Sequence, residues 1–239
     1  MNRAALGVIA ATVAFWVGLV ALCAMLTACG GGVGEAPAPA PAPAPTSIAS
    51  CVPKVVTVQL AGDSTQYGFD GATRTIALQT PGMVLQAILD AHFGAGAAIV
   101  QDIGVSSTTS ADLAPGALTA DITVVNFAIN DAASMPVETY KSLLRGLHPT
   151  VFETPSPTYR DIRPLAGTMA FAQAMREVAA ETGTPIADVT PYVLARPNWQ
   201  AEVPDEIHPD NALYAAIVTN VLAPTVVPMV AALRCEARP

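Results

Sequence analysis

VVTVQLAGDST, residues 55–65, is an apolar, β-branched run that stops abruptly at Gly62, Asp63 and Ser64. A buried strand in an open α/β sheet delivers polar side chains at its carboxyl end in this way. Two later stretches carry the groups that a serine at that spot needs: Ala128-Ile129-Asn130-Asp131 and Asp205-Glu206-Ile207-His208-Pro209. The chain therefore reads as built to activate Ser64.

The length of 239 residues leaves room for one domain and a targeting segment, and a domain of this size buries a substantial core. Alanine and the N-terminus inflate the apolar fraction of 52%, so it marks an ordinary α/β core rather than a protein with several membrane spans. The formal charge is -8 and the pI about 4.7, with only 11 Lys and Arg, scattered along the chain. No nucleic-acid partner is expected, because phosphate binding calls for a basic patch.

The N-terminus has the form of an export signal. Met1-Asn2-Arg3 supplies a short positive region, residues 4–25 are apolar, and Leu26-Thr27-Ala28-Cys29 is followed by glycines. That tetrapeptide resembles the bacterial lipobox, in which cleavage leaves the cysteine as a lipid-bearing N-terminus. The apolar run is long for a signal, so an uncleaved membrane helix is the alternative. Gly30 rather than Asp after Cys29 resembles the pattern sorted to the outer membrane of Gram-negative bacteria. On either reading the domain is tethered to a membrane and faces away from the cytoplasm.

Residues 35–45 alternate Ala and Pro, which favours an extended spacer of about 3.1 Å per residue. The expected organisation is a signal peptide at 1–28, lipidated Cys29 with a linker to residue 50, and one domain over 51–239. Of the four cysteines, Cys23 leaves with the signal and Cys29 takes lipid. Cys51 and Cys235 remain at opposite ends of the domain, and an exported compartment permits them to pair.

After Cys51, short β-rich segments alternate with helical ones. Strands are expected at 55–60, 98–103, 122–127, 150–154 and 185–189. Helices are expected at 81–93, around Tyr140-Leu143-Leu144-Leu147, around Phe171-Ala172-Met175-Val178-Ala179, and from Pro209 until Pro224 interrupts. The alternation predicts a parallel sheet with helices on both faces, whose ligands bind beyond the carboxyl ends of the strands. Gly62-Asp63-Ser64, Gly104 and residues 128–131 follow the first three strands, which puts them on one edge.

A serine hydroxyl is a poor nucleophile without a base in hydrogen-bond reach and a third group to orient that base. Of the three histidines, His92 ends a predicted helix and His148 precedes a proline, whereas His208 has a carboxylate three residues earlier. His208 is the best base on offer, with Asp205 to fix its tautomer. The α/β-hydrolase elbow is excluded, since Gln66 stands where that turn needs its second glycine. Candidate donors to an oxyanion are the backbone N–H groups of Ser64 and Gly104 and the side-chain amide of Asn130. Each motif alone has a plainer reading, in which Asp63 or Ser64 simply caps a helix.

Taken together, GDST at 62–65, Gly104, AIND at 128–131 and DEIHP at 205–209 resemble the four blocks of the SGNH, or GDSL-type, hydrolases, in the family's order and across residues 54–233. The resemblance implies a three-layer αβα flavodoxin-like fold with about five parallel strands. It also implies a serine esterase, lipase, thioesterase or carbohydrate deacetylase that needs no metal or other cofactor. Ser64 would be the nucleophile, Asp205 and His208 would complete the triad, and Ser64, Gly104 and Asn130 would form the oxyanion hole. The substrate would be a small-molecule or glycan ester. Ala128 departs from the family's glycine, and its bulk is expected to narrow the site or shift Asn130. A non-catalytic glycan-binding module and an O-acyltransferase are the alternatives. Trp199, near Asp205, reads as core packing or as a pocket wall, and Tyr67 is equally open.

Overall fold

In the computed structural model, which describes residues 54–234, the stretch that opens the domain is strand β1 (Val56–Gly62). All of β1 except Thr57 is buried: Val56, Val58 and Leu60 share one face, and on the other the buried Gln59 accepts from the Thr119 N–H. The chain continues through helix α1 (Ser64–Tyr67), a small antiparallel pair β2 (Phe69–Asp70) and β3 (Thr75–Ile76), helix α2 (Pro81–Phe93) and β4 (Ala98–Asp102). Then come β5 (Ile122–Asn126), α3 (Asp131–Ser134), α4 (Val137–Leu147), β6 (Val151–Glu153), α5 (Leu165–Thr182), β7 (Ile186–Ala187) and α6 (Val189–Leu194). The last helical run is α7 (Asn211–Ile217), a π-helical turn Val218–Leu222, and α8 (Ala223–Arg234).

Strands β4-β1-β5-β6-β7 form one five-stranded sheet in that order, and every pairing is parallel. The first strand lies inside the sheet, so the chain winds outward to both sides of it. One face packs Val56, Val58 and Leu60 against Leu85 and Leu89 of α2 and Leu222, Val226 and Val230 of the C-terminal run. The other packs Ala61, Val125 and Phe127 against Tyr140 and Leu144 of α4 and Phe171, Met175 and Val178 of α5. The result is the expected three-layer αβα arrangement. Burying a leucine or valine of this kind stabilises the fold by about 1.5–3 kcal/mol.

All five strands fall within two residues of their expected limits, and α2 spans its expected limits. The C-terminal run corrects one expectation, since Pro224 does not interrupt it. The preceding π turn widens the ladder, with the N–H of Ala223 bonded to the carbonyl of Val218, five residues back. A proline has no N–H to place in that ladder, and a widened turn accommodates its ring. Residues 211–234 are long and apolar enough to cross a membrane, but Leu213, Ile217, Leu222, Val226 and Val230 face the core.

Near the carboxyl ends of β5 and β6, the side chains of Gln66, Asn126, Glu153 and Ser156 line a cavity of about 10 Å³. Burial pushes the Glu153 carboxyl up to about 8, and a hydrogen bond with Asn126 offsets this only in part. Residues 1–53 and 235–239, with the candidate leader, Cys29, the Ala/Pro spacer, Cys51 and Cys235, lie outside the described residues.

Candidate active site

Asp63 lies between β1 and α1. Its Oδ1 accepts from the N–H of Thr65 at 2.9 Å and from the Thr65 hydroxyl at 2.8 Å, so the carboxylate caps a four-residue helix. Gly68, at φ 81°, ends that helix after a single turn. Ser64 is thereby fixed as the first helical residue. Its N–H has no carbonyl one turn back within the helix and is free to serve a ligand.

The second half of the site comes from one tight turn. Oδ1 of Asp205 accepts from the backbone N–H groups of Ile207 at 3.0 Å and His208 at 2.7 Å, while Oδ2 lies 2.7 Å from Nδ1 of the His208 ring. Glu206 closes the turn in the left-handed region, at φ 69°. Nε2 of His208 lies 2.8 Å from Oγ of Ser64. An ionised carboxylate only accepts, so Nδ1 carries the ring proton and Nε2 presents a lone pair to the serine hydroxyl. Burial alone would push the Asp205 carboxyl up, but the hydrogen bonds from His208 and Ile207 outweigh it and hold it below its ordinary value.

Neighbours hold the histidine in place. The Phe69 ring packs 4.6 Å from the imidazole. Gly71 donates its N–H to the Pro209 carbonyl, and a Cβ on Gly71 would come within 2.4 Å of the His208 carbonyl oxygen and 2.9 Å of Asp205 Oδ1. Only a glycine allows so close an approach.

Asn130 follows β5, and its side chain makes no cap for α3. Nδ2 donates to the Thr108 carbonyl at 2.9 Å, and Oδ1 accepts from Nη2 of Arg163 at 2.8 Å. The adjacent Asp131 is fully buried and binds the Ser110 N–H and hydroxyl, which ties the loop after β4 to the end of β5. Gly104 lies against α1, where an added Cβ would meet the Tyr67 nitrogen at 2.6 Å. Its N–H donates to Asp102 Oδ1 at 2.9 Å rather than standing open.

The Ala128 methyl group points into the core. It is fully buried in the cluster with Val125, Phe127 and Tyr140. Trp199 packs in the core with Val193 and Leu213 and edge-on against Tyr159, whereas Tyr67, three residues after Ser64, is exposed. His92 stands in the last turn of α2, and His148 ends α4 at φ 48°. Sequence reasoning missed Phe69, Gly71, Thr108 and Arg163. Gly71 alone carried a signal, as a glycine in a segment with no other reason for one.

A parallel sheet with Ser64, His208 and Asp205 hydrogen-bonded in series beyond its carboxyl edge has the architecture of an SGNH hydrolase. The model of the GDSL-like lipase/acylhydrolase family matches residues 60–216, well over half of the chain. The chain belongs to that family and is an ester-hydrolysing enzyme.

Solved structures with the same fold include a lipase/acylhydrolase from Enterococcus faecalis, 18% identical, with a TM-score of 0.63 over 77% of this chain and 100% of that one. A carbohydrate acetylesterase family member from Sinorhizobium meliloti is 19% identical, with a TM-score of 0.58 over 75% and 100% of the two chains. Axe2, an acetylxylan esterase from Geobacillus stearothermophilus, is 16% identical, with a TM-score of 0.58 over 79% and 100%. No curated protein sequence matched the chain.

Proposed function

We propose that the enzyme hydrolyses acyl esters through an acyl-enzyme on Ser64, with His208 as general base and Asp205 as its orienter. The observation that carries this reading is the unbroken series Asp205 Oδ2, His208 Nδ1, His208 Nε2 and Ser64 Oγ, with links of 2.7 and 2.8 Å. His208 Nε2 takes the hydroxyl proton as Ser64 Oγ attacks the ester carbonyl carbon. The carbonyl oxygen becomes an oxyanion, received by the Ser64 N–H and an Asn130 amide N–H. Gly104 serves as a third donor once its N–H exchanges the Asp102 carboxylate for the oxyanion. Collapse expels the alcohol, which leaves with the proton from His208. Water then attacks the acyl group, His208 takes its proton, and the acid departs as Ser64 regains its hydrogen.

Short acyl esters, including acetylated sugars, are the proposed substrate class. The acetylesterase and acetylxylan esterase activities named for two structural neighbours support it by analogy of fold. As proposed, the enzyme works in the cell envelope, held by a lipid on Cys29. The signal-like N-terminus and the Ala/Pro spacer support that part.

The test is Ser64→Ala with a small acetate ester. A loss of at least about 10⁴-fold in kcat, with disappearance of fluorophosphonate labelling, is expected. Hydrolysis by that variant at the unaltered rate would sink the proposal.

A further inference from the structure

The two ends of a side-chain amide differ only in which one donates. Around Asn130 both neighbours impose the same orientation. The guanidinium of Arg163 can only donate, so the atom facing its Nη2 at 2.8 Å is Oδ1; the Thr108 carbonyl can only accept, so the atom facing it at 2.9 Å is Nδ2. A flipped amide would set N–H groups against the guanidinium and oxygen against the carbonyl. One N–H of Nδ2 goes to Thr108, which leaves the second for an oxyanion.

Arg163 is itself anchored. Its N–H donates to the Arg160 carbonyl at 2.8 Å, and its own carbonyl accepts from the Thr158 hydroxyl at 2.7 Å. Thr158 is fully buried and meets the hydroxyl of Thr168 in α5 at 2.5 Å. Arg145, Arg176 and Arg196 each pair with a carboxylate, whereas among the described residues no carboxylate pairs with Arg163. The Arg163 charge is therefore directed into the Asn130 amide without a competing anion, and it polarises that amide toward donation.

We propose that Arg163 is a positioning residue that locks the Asn130 amide in its donating orientation, an inference that rests on Asn130 acting as an oxyanion donor. The experiment measures kcat, KM and thermal melting for Asn130→Ala, Arg163→Ala, Arg163→Lys and the double alanine variant on a small acetate ester. Asn130→Ala loses about 10²-fold in kcat, the size expected for one oxyanion donor. Arg163→Ala loses about 10-fold in kcat with KM within twofold, and Arg163→Lys, which keeps a donor, recovers most of it. The double variant is no slower than Asn130→Ala, because both changes remove one interaction.

Two results overturn the inference and leave the oxyanion reading intact: Arg163→Ala within twofold of the unaltered enzyme, or a loss that multiplies in full onto that of Asn130→Ala. An unaltered rate for Asn130→Ala overturns the oxyanion reading itself. If melting shows that Arg163→Ala does not fold, Arg163→Met, which keeps the apolar stem and no donor, carries the same cycle.

Discussion

Asp63 and Ser64 show how two readings of a motif can hold at neighbouring residues. Read from sequence, a turn that caps a helix and a nucleophile delivered by a strand compete for Gly62-Asp63-Ser64. In the structure Asp63 makes the cap, and the cap is what presents Ser64 to His208. The Asp205 turn works alike, since one carboxylate ties down two backbone N–H groups and a ring. Gly71 is the residue that lets this turn sit where it does. Gly71→Ala puts a methyl group into the His208 carbonyl and the Asp205 carboxylate, so kcat is expected to fall about 10-fold or more, with a lower melting temperature. Steady-state kinetics beside thermal melting checks this, and an unaltered kcat would contradict it. Ser64, Asp205 and His208 were legible because few residue types suit that chemistry, because Ser64 closes a strand-like run, and because Asp205 and His208 stand three residues apart. Arg163 was not, because an arginine in a loop has no periodicity, and its partner Asn130 lies 33 residues away.

At the scale of elements, strands were legible and short helices were not. β-Rich runs such as VTVQLAG and ITVVN, nearly all buried, suit strands covered on both faces, so their limits could be read closely. Helix α1 has four residues and could not be seen by period, yet the active site depends on it. A single turn has little cooperativity of its own, so its start must be held from outside. Asp63→Ala is therefore expected to cost about 1–2 kcal/mol in urea unfolding and to lower kcat by loosening Ser64. Asp63→Asn, which keeps an acceptor for the Thr65 N–H, should lose less of both. Equal losses for the two variants would locate the role of Asp63 in its charge rather than its cap. The C-terminal run carries the opposite lesson. Pro224 reads as a stop, and the π turn before it, together with the tertiary packing of Leu222 and Val226, keeps the chain helical through it.

For the whole molecule, the buried groups beneath the site set a dependence on pH. Glu153 is held neutral well above its ordinary value of 4.5, to about 8. Between those limits the unfolded chain ionises this carboxyl while the folded protein keeps its proton, so unfolding releases a proton and stability falls as pH rises. The contribution is fully present below about pH 4.5 and lost through about pH 8, with a slope of at most about 1.4 kcal/mol per pH unit. Asp205 acts oppositely and in a more acidic window, since its depressed value adds stability that disappears as pH falls through it. Melting temperatures measured from pH 5 to 8 should therefore decline for the unaltered protein and flatten for Glu153→Gln. A decline of the same slope in both would assign it to other groups.

The distance between Ser64 and His208 along the chain, 144 residues, has a consequence in time. A ribosome completes Ser64 and the sheet long before it reaches His208. Until residue 208 emerges and docks, the growing polypeptide holds a serine with nothing to activate it. On the proposed mechanism any fragment released before His208 is likewise inert toward esters, so catalytic power arrives only with the stretch that carries Asp205 and His208.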